Sequence, residues 1–159
     1  MKTIGLLVFS ICFFSCAQIE PRMPSNKGRT VFLNSSALRN KQLLVQEEKM
    51  LLESAKKDSL LNFIKSEAGY LYAYLEKTAK NEPLPQKGDQ VRFQYQIEDL
   101  QKNIIYDKES LGIVNYAIDE EELLPGLREA LRIMRPNEVV IFLFPSYLCF
   151  SYQGDGDKI

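Results

Sequence analysis

From residue 87 onward, the order of hydrophobic and polar positions names the elements. Val91, Phe93, Tyr95 and Ile97 fall on one side of the chain; Arg92, Gln94, Gln96 and Glu98 fall on the other. A period of two in β-branched and aromatic residues predicts a half-buried strand over 91–98. Gly88-Asp89 supplies turn chemistry before it. Residues 99–103 are polar and read as a hairpin loop, and Ile104-Ile105-Tyr106 begins the return. The run 139–144 is continuously apolar and ends at Pro145, which predicts a strand buried on both faces. Between these strands Leu124, Leu127, Leu131 and Met134 form one helical stripe, with Arg128, Arg132 and Arg135 turned away. Asp119 to Glu122 is placed at the helix start, where the dipole favours negative charge. Pro125 is tolerated in a first turn.

Upstream the period lengthens. Leu38, Leu44, Val45, Leu51, Leu52 and Ala55 keep an approximate helical repeat, capped by Ser36 and solvated by Glu47, Glu48, Lys49, Glu53, Lys56 and Lys57. Asp58 is expected to cap a second helical segment over 60–67, ended by Gly69. The simplest use of this arm, residues 36–69, is to pack on its own domain; the alternative is to bind a partner. Tyr70, Tyr72 and Tyr74 alternate with Leu71, Ala73 and Leu75, which predicts a strand. Pro83 and Pro85 mark a loop, and residues 17–35, with Pro21, Pro24 and Gly28, read as a tether. The fold class is α+β: an antiparallel sheet wrapped on one short helix over 70–159, with a helical extension before it.

Composition narrows the chemistry. The chain has 159 residues, a net charge of -1 and no histidine. Histidine-dependent triads and histidine metal sites are excluded, and the balanced charge gives no support for a nucleic-acid partner. No motif calls for a cofactor or a metal. Residues 1–16 read as a targeting segment: Lys2, then an apolar run too short to span a bilayer. The run ends in Ser15-Cys16, which resembles a bacterial lipobox and implies lipidation of Cys16. Cys12 lies inside the signal, so Cys149 alone remains for the folded part and no intrachain disulfide framework is expected.

The order of motifs from residue 70 onward resembles the FKBP-type peptidyl-prolyl isomerases. Lys87-Gly88-Asp89-Gln90-Val91-Arg92-Phe93-Gln94-Tyr95 is similar to the family's Gly-Asp-x-Val-x-Val-x-Tyr opening. Tyr106-Asp107 is similar to its Phe-Asp pair, and Leu123-Leu124-Pro125-Gly126-Leu127 to its Val-Ile-x-Gly-Trp segment. Met134, Phe144-Pro145 and the loop from Ser146 to Gly154 follow in the same order. The resemblance implies a cleft walled by Tyr95, Tyr106, Leu123, Leu124 and Leu127. Asp107 would sit at its mouth and Phe150 where the family places a tyrosine. It implies X-Pro polypeptides as substrates and no cofactor. The lipobox, Arg39-Asn40-Lys41, Asp58-Ser59 and the aromatic run from Gly69 to Tyr74 resemble the gliding-motility-associated lipoprotein branch of that family in Bacteroidetes. That likeness implies a lipid-anchored, periplasm-facing protein of the cell envelope, with motility or envelope machinery as partners.

Three departures stand against the family pattern. Leu127 replaces a tryptophan. Cys149-Phe150-Ser151 replaces Ala-Tyr-Gly, so Phe150 lacks a hydroxyl donor and Ser151 occupies a position where positive φ favours glycine. The final strand of the family is not found before Ile159. The leading reading is a lipid-anchored prolyl isomerase or folding helper of the cell envelope, its activity weakened. Tyr95, Tyr106 and Asp107 point to it, whereas Phe150 and the missing strand point to the alternatives, a non-catalytic binding or assembly lipoprotein or a truncated relative.

Overall fold

The computed structural model describes residues 27–78, 82–151 and 153–159, with side chains from residue 35 onward. The targeting segment, Cys16 and the start of the expected tether lie outside these residues. The chain divides into two compact units, residues 1–37 and 38–159. In the first unit the described backbone is helical from Lys27; all side-chain contacts below belong to the second.

Helix α1 spans Lys27–Lys57. It begins inside the stretch expected to be a tether and stops before the segment expected to continue the arm. Lys56 and Lys57 occupy its last turn, where cations favour the dipole. The expected helix over 60–67 does not form. Its place is taken by a turn, with Leu61 N–H donating to the Asp58 carbonyl at 3.1 Å, and by strand β1, Ile64–Lys65. Leu60, Leu61, Phe63 and Ile64 suit either period over so short a run; pairing of Ile64 with Tyr72 decides for the strand. Gly69 does act as a stop, though of a hairpin turn. Its φ is +91°, and a Cβ there would lie 2.6 Å from the Tyr147 hydroxyl.

Strand β2, Leu71–Glu76, lies between β1 and a later strand, Val139–Leu143, both antiparallel to it. Leu71 and Ala73 are buried on one face. On the other, Tyr70, Tyr72, Phe142 and Phe144 form a ring cluster with centroids 5.3–6.2 Å apart. The 139–144 strand is therefore at the edge of this sheet and half-buried, not enclosed on both faces: Val139 is 44% exposed.

Strands β3, Gln90–Phe93, β4, Ile97–Glu98, β5, Ile104–Tyr106, and β6, Val114–Ala117, form two further antiparallel pairs, β3 with β6 and β4 with β5. The single strand expected over 91–98 is thus interrupted at 94–96, although burial still alternates through it. A one-turn helix α2, Lys108–Leu111, precedes β6. Helix α3, Pro125–Ile133, carries Pro125 in its first turn as expected. Its first turn holds no acidic residue; Asp119 instead pairs with Arg132 at 2.7 Å. The last strand, β7, is Val139–Leu143. Tyr116 and Ile118, each 2% exposed, and Leu131 form the core, with Val91, Phe93 and Leu123 packed against them.

The expected apolar stripe of α1 is only partly used. Leu51 is 6% exposed, whereas Leu38 and Val45 are 63% and 59% exposed. Docking of the arm is confined to its last turns, through Leu51, the Glu48–Lys65 ion pair and Glu47. No helix among the described residues is long and apolar enough to cross a membrane.

Candidate functional site

The β4–β5 hairpin is built by its own loop. The Asp99 carboxylate accepts the backbone N–H groups of Gln101 at 2.8 Å and Asn103 at 2.9 Å, and the Asn103 amide at 2.8 Å. These bonds, the Asn103 side chain foremost, hold Asp99 below its usual carboxylate range. The loop is tied to the end of α1 by a Lys102–Asp58 ion pair at 2.6 Å. The hairpin register places Tyr106 opposite Ile97.

Tyr95 precedes Ile97 on the same face. It is half-buried, its ring 5.8 Å from that of Phe93, and burial raises its phenol. Phe93 packs on the core cluster of Tyr116, Ile118 and Leu131, and so does Leu123. Leu124 is the half-buried N-cap residue of α3, with no side-chain cap bond, and Leu127 is half-buried in its first turns. Gly126 between them is buried against Phe144; a Cβ would lie 3.2 Å from that ring and 3.0 Å from the Leu148 carbonyl. This fixes α3 close to the start of the 146–159 loop.

Asp107 caps α2. Its carboxylate accepts the Ser110 N–H at 2.7 Å, and that bond lowers its pKa. Tyr106 is held by the end of the chain's last loop. Its hydroxyl donates to the Asp155 carboxylate and lies 3.4 Å from Asp157. Lys158 Nζ stands 4.6 Å over its ring and donates to the Ile105 carbonyl at 3.2 Å. The bond to Asp155 pushes the Tyr106 phenol up to about 12, and the same bond pulls Asp155 down to about 2.

Phe150 is half-buried in the turn that follows a short 3-10 helix, Ser146–Leu148. Ser151 beside it has φ +57°, the left-handed conformation expected of its position. Its N–H is satisfied by the Ser146 carbonyl at 2.8 Å. Ser146 is itself held from α1: its N–H and hydroxyl donate to Glu47 at 3.2 Å and 2.8 Å. Burial pushes the Cys149 thiol up to about 11, so it is a poor nucleophile. Among the described residues no group of His, Cys, Asp or Glu could hold a metal ion.

Residues 81–159 match the family model described as FKBP-type peptidyl-prolyl cis-trans isomerase. This part of the chain belongs to the FKBP-type family. The match covers about half of the chain, and no curated protein matches it. The FKBP-type segment holds Tyr95, Tyr106, Asp107, Leu123, Leu124, Leu127 and Phe150. Two contacts there had no signature in the sequence. Asp155 is separated from Tyr106 by 49 residues and Glu47 from Ser146 by 99. No local period or spacing links partners so far apart.

Proposed function

We propose that this chain is a peptidyl-prolyl cis-trans isomerase that acts on X-Pro segments of envelope proteins while anchored to a membrane through Cys16. The observation that carries the reading is the FKBP-type match itself, over a segment in which Phe93, whose ring lies against Tyr95, and Leu123 both pack on one core cluster. Rotation about an X-Pro bond must break amide resonance, a barrier of about 18–20 kcal/mol. An apolar, aromatic surface withdraws the amide from water, which favours the twisted form over the planar, solvated one. Tyr95, Leu123, Leu124 and Leu127 supply that surface in this reading. Tyr106 would add a further aromatic wall, and Asp107 would stand at the mouth. No covalent intermediate or proton transfer is needed, in keeping with a chain that lacks histidine.

A second reading is favoured by Phe150. Without a hydroxyl it cannot donate a hydrogen bond to a bound peptide, which suits a non-catalytic binding or assembly lipoprotein. The lipobox-like Ser15-Cys16 and the likeness to the gliding-motility-associated branch support an envelope location and a motility-linked partner under either reading.

The test is acceleration of a proline-limited isomerisation by the full chain. Catalysis above the spontaneous rate supports the enzyme; peptide binding without catalysis supports the scaffold. Cys16→Ala should release the chain from the detergent phase, and unchanged partitioning would overturn the anchor.

A further inference from the structure

The loop after Phe150 closes on itself around one carboxylate. Asp155 Oδ1 accepts the backbone N–H groups of Asp157, Lys158 and Ile159 at 2.9, 3.1 and 3.0 Å. The Asp155 N–H donates to the Ile159 carbonyl at 3.0 Å. Gly154 makes this closure possible: its φ is +69°, and a Cβ would lie 1.8 Å from the Ile159 carbonyl oxygen. With one oxygen held by three donors, the carboxylate is locked in place before it meets Tyr106. The other oxygen, Oδ2, then receives the Tyr106 hydroxyl. Little side-chain entropy is lost when that bond forms, since Asp155 is already ordered. Lys158 adds a second grip on the same strand, through the Tyr106 ring and the Ile105 carbonyl.

We propose that Asp155 is a positioning residue for the isomerase reaction: through the Tyr106 hydroxyl it fixes one aromatic wall of the cleft and the far end of the loop that carries Phe150. This rests on the isomerase reading above. Tyr106 stands where the family motif has a phenylalanine, so the hydroxyl that makes the clamp is an addition in this chain. Preorganisation of this kind lowers the ordering cost of binding and leaves the chemical step alone. Loss of the clamp therefore raises KM and leaves kcat unchanged.

A double-mutant cycle on the full chain tests this, with kcat and KM measured separately for an X-Pro peptide. Asp155→Ala raises KM by about threefold to tenfold, the range set by one hydrogen bond. Tyr106→Phe does the same, and the double variant is no worse than either alone. Asp155→Asn recovers most of the loss, because its amide can donate to the Tyr106 oxygen. If Asp155→Ala costs as much in the Tyr106→Phe background as in the wild type, Asp155 acts only on its own loop and the proposal is overturned. An unchanged KM in Asp155→Ala overturns it too. A tyrosinate titration separates the two claims. If the phenol titrates near 12 in the wild type and falls in Asp155→Ala, yet the wild type does not accelerate isomerisation, the isomerase reading fails. The role of Asp155 in catalysis then fails with it, leaving a surface clamp.

Discussion

Replacing Leu51 with alanine asks whether the helical arm is part of the domain. Leu51 is 6% exposed and lies against Leu71, itself 5% exposed, with Leu52, Glu48, Lys65 and Gly69 around the contact. Leu→Ala in an enclosed core costs about 2–5 kcal/mol, the larger values where the cavity cannot collapse. Here two walls are charged side chains, Glu48 and Lys65, about half exposed. They can move inward or admit water, so the lower end applies, about 2–3 kcal/mol. Val45→Ala is the control: Val45 is 59% exposed, and its loss should change stability by less than about 0.5 kcal/mol. Urea unfolding followed by circular dichroism gives both values, provided the slope with denaturant is unchanged. Hydrogen exchange then shows whether α1 amides open ahead of those of β7 in the variant, as undocking of the arm requires. Equal effects of Leu51→Ala and Val45→Ala would refute the reasoning and make α1 a helix held by something other than Leu51.

Two further outcomes are expected. Asp107→Ala should lower the melting temperature, because it strips the cap from α2; a variant that melts like the wild type but loses peptide binding would place Asp107 in recognition instead. The Tyr106–Asp155 clamp should persist from about pH 4 to about pH 10. The Asp155 pKa is lowered on folding to about 2, so its contribution is present above the ordinary carboxylate pKa and lost as pH falls through about 2. The Tyr106 pKa is raised on folding to about 12, so its contribution is present below the ordinary phenol pKa and lost as pH rises through about 12. A tyrosine titrating near 10 in every variant and in the wild type would show that no such clamp forms in solution.

The elements that the sequence disclosed are those in which one local period controls the outcome. Alternation from Val91 to Ile97 set the buried face correctly even where the ladder breaks. The break arises from the partner: β6 offers only Val114–Ala117, so pairing ends at Phe93. The stripe of α3 and Pro125 at its start were legible for the same local reason. The segment 60–67 was not, because its four apolar residues satisfy two periods and only the neighbouring strand chooses between them. The edge position of β7 depends on which strands pair with it, a fact of topology rather than of composition. The same division runs through the candidate site. Tyr95, Tyr106 and Leu123 were named as candidates from their order along the chain. Asp155 and Glu47 were not, since each meets its partner only after the chain has folded back.

Those two carboxylates change how the loop from Ser146 to Ile159 should be understood. Glu47 holds its beginning from α1, and Asp155 fastens its end to β5. Between the two anchors lie Phe150 and Ser151. Ser151 bears the strain of φ +57°, which persists only where surrounding contacts over-determine the backbone. The pinned loop supplies those contacts, including the 2.8 Å bond from Ser151 N–H to the Ser146 carbonyl. The Phe150 side chain offers no donor to a peptide, so what it can add to affinity comes from shape and burial rather than from a directed bond. Shape contributes to affinity only when it exists before binding. On the proposed reading, a site with a phenylalanine at this place would gain from a loop fixed at both ends. On the same reading, the last turns of the helical arm would steady this loop through Glu47.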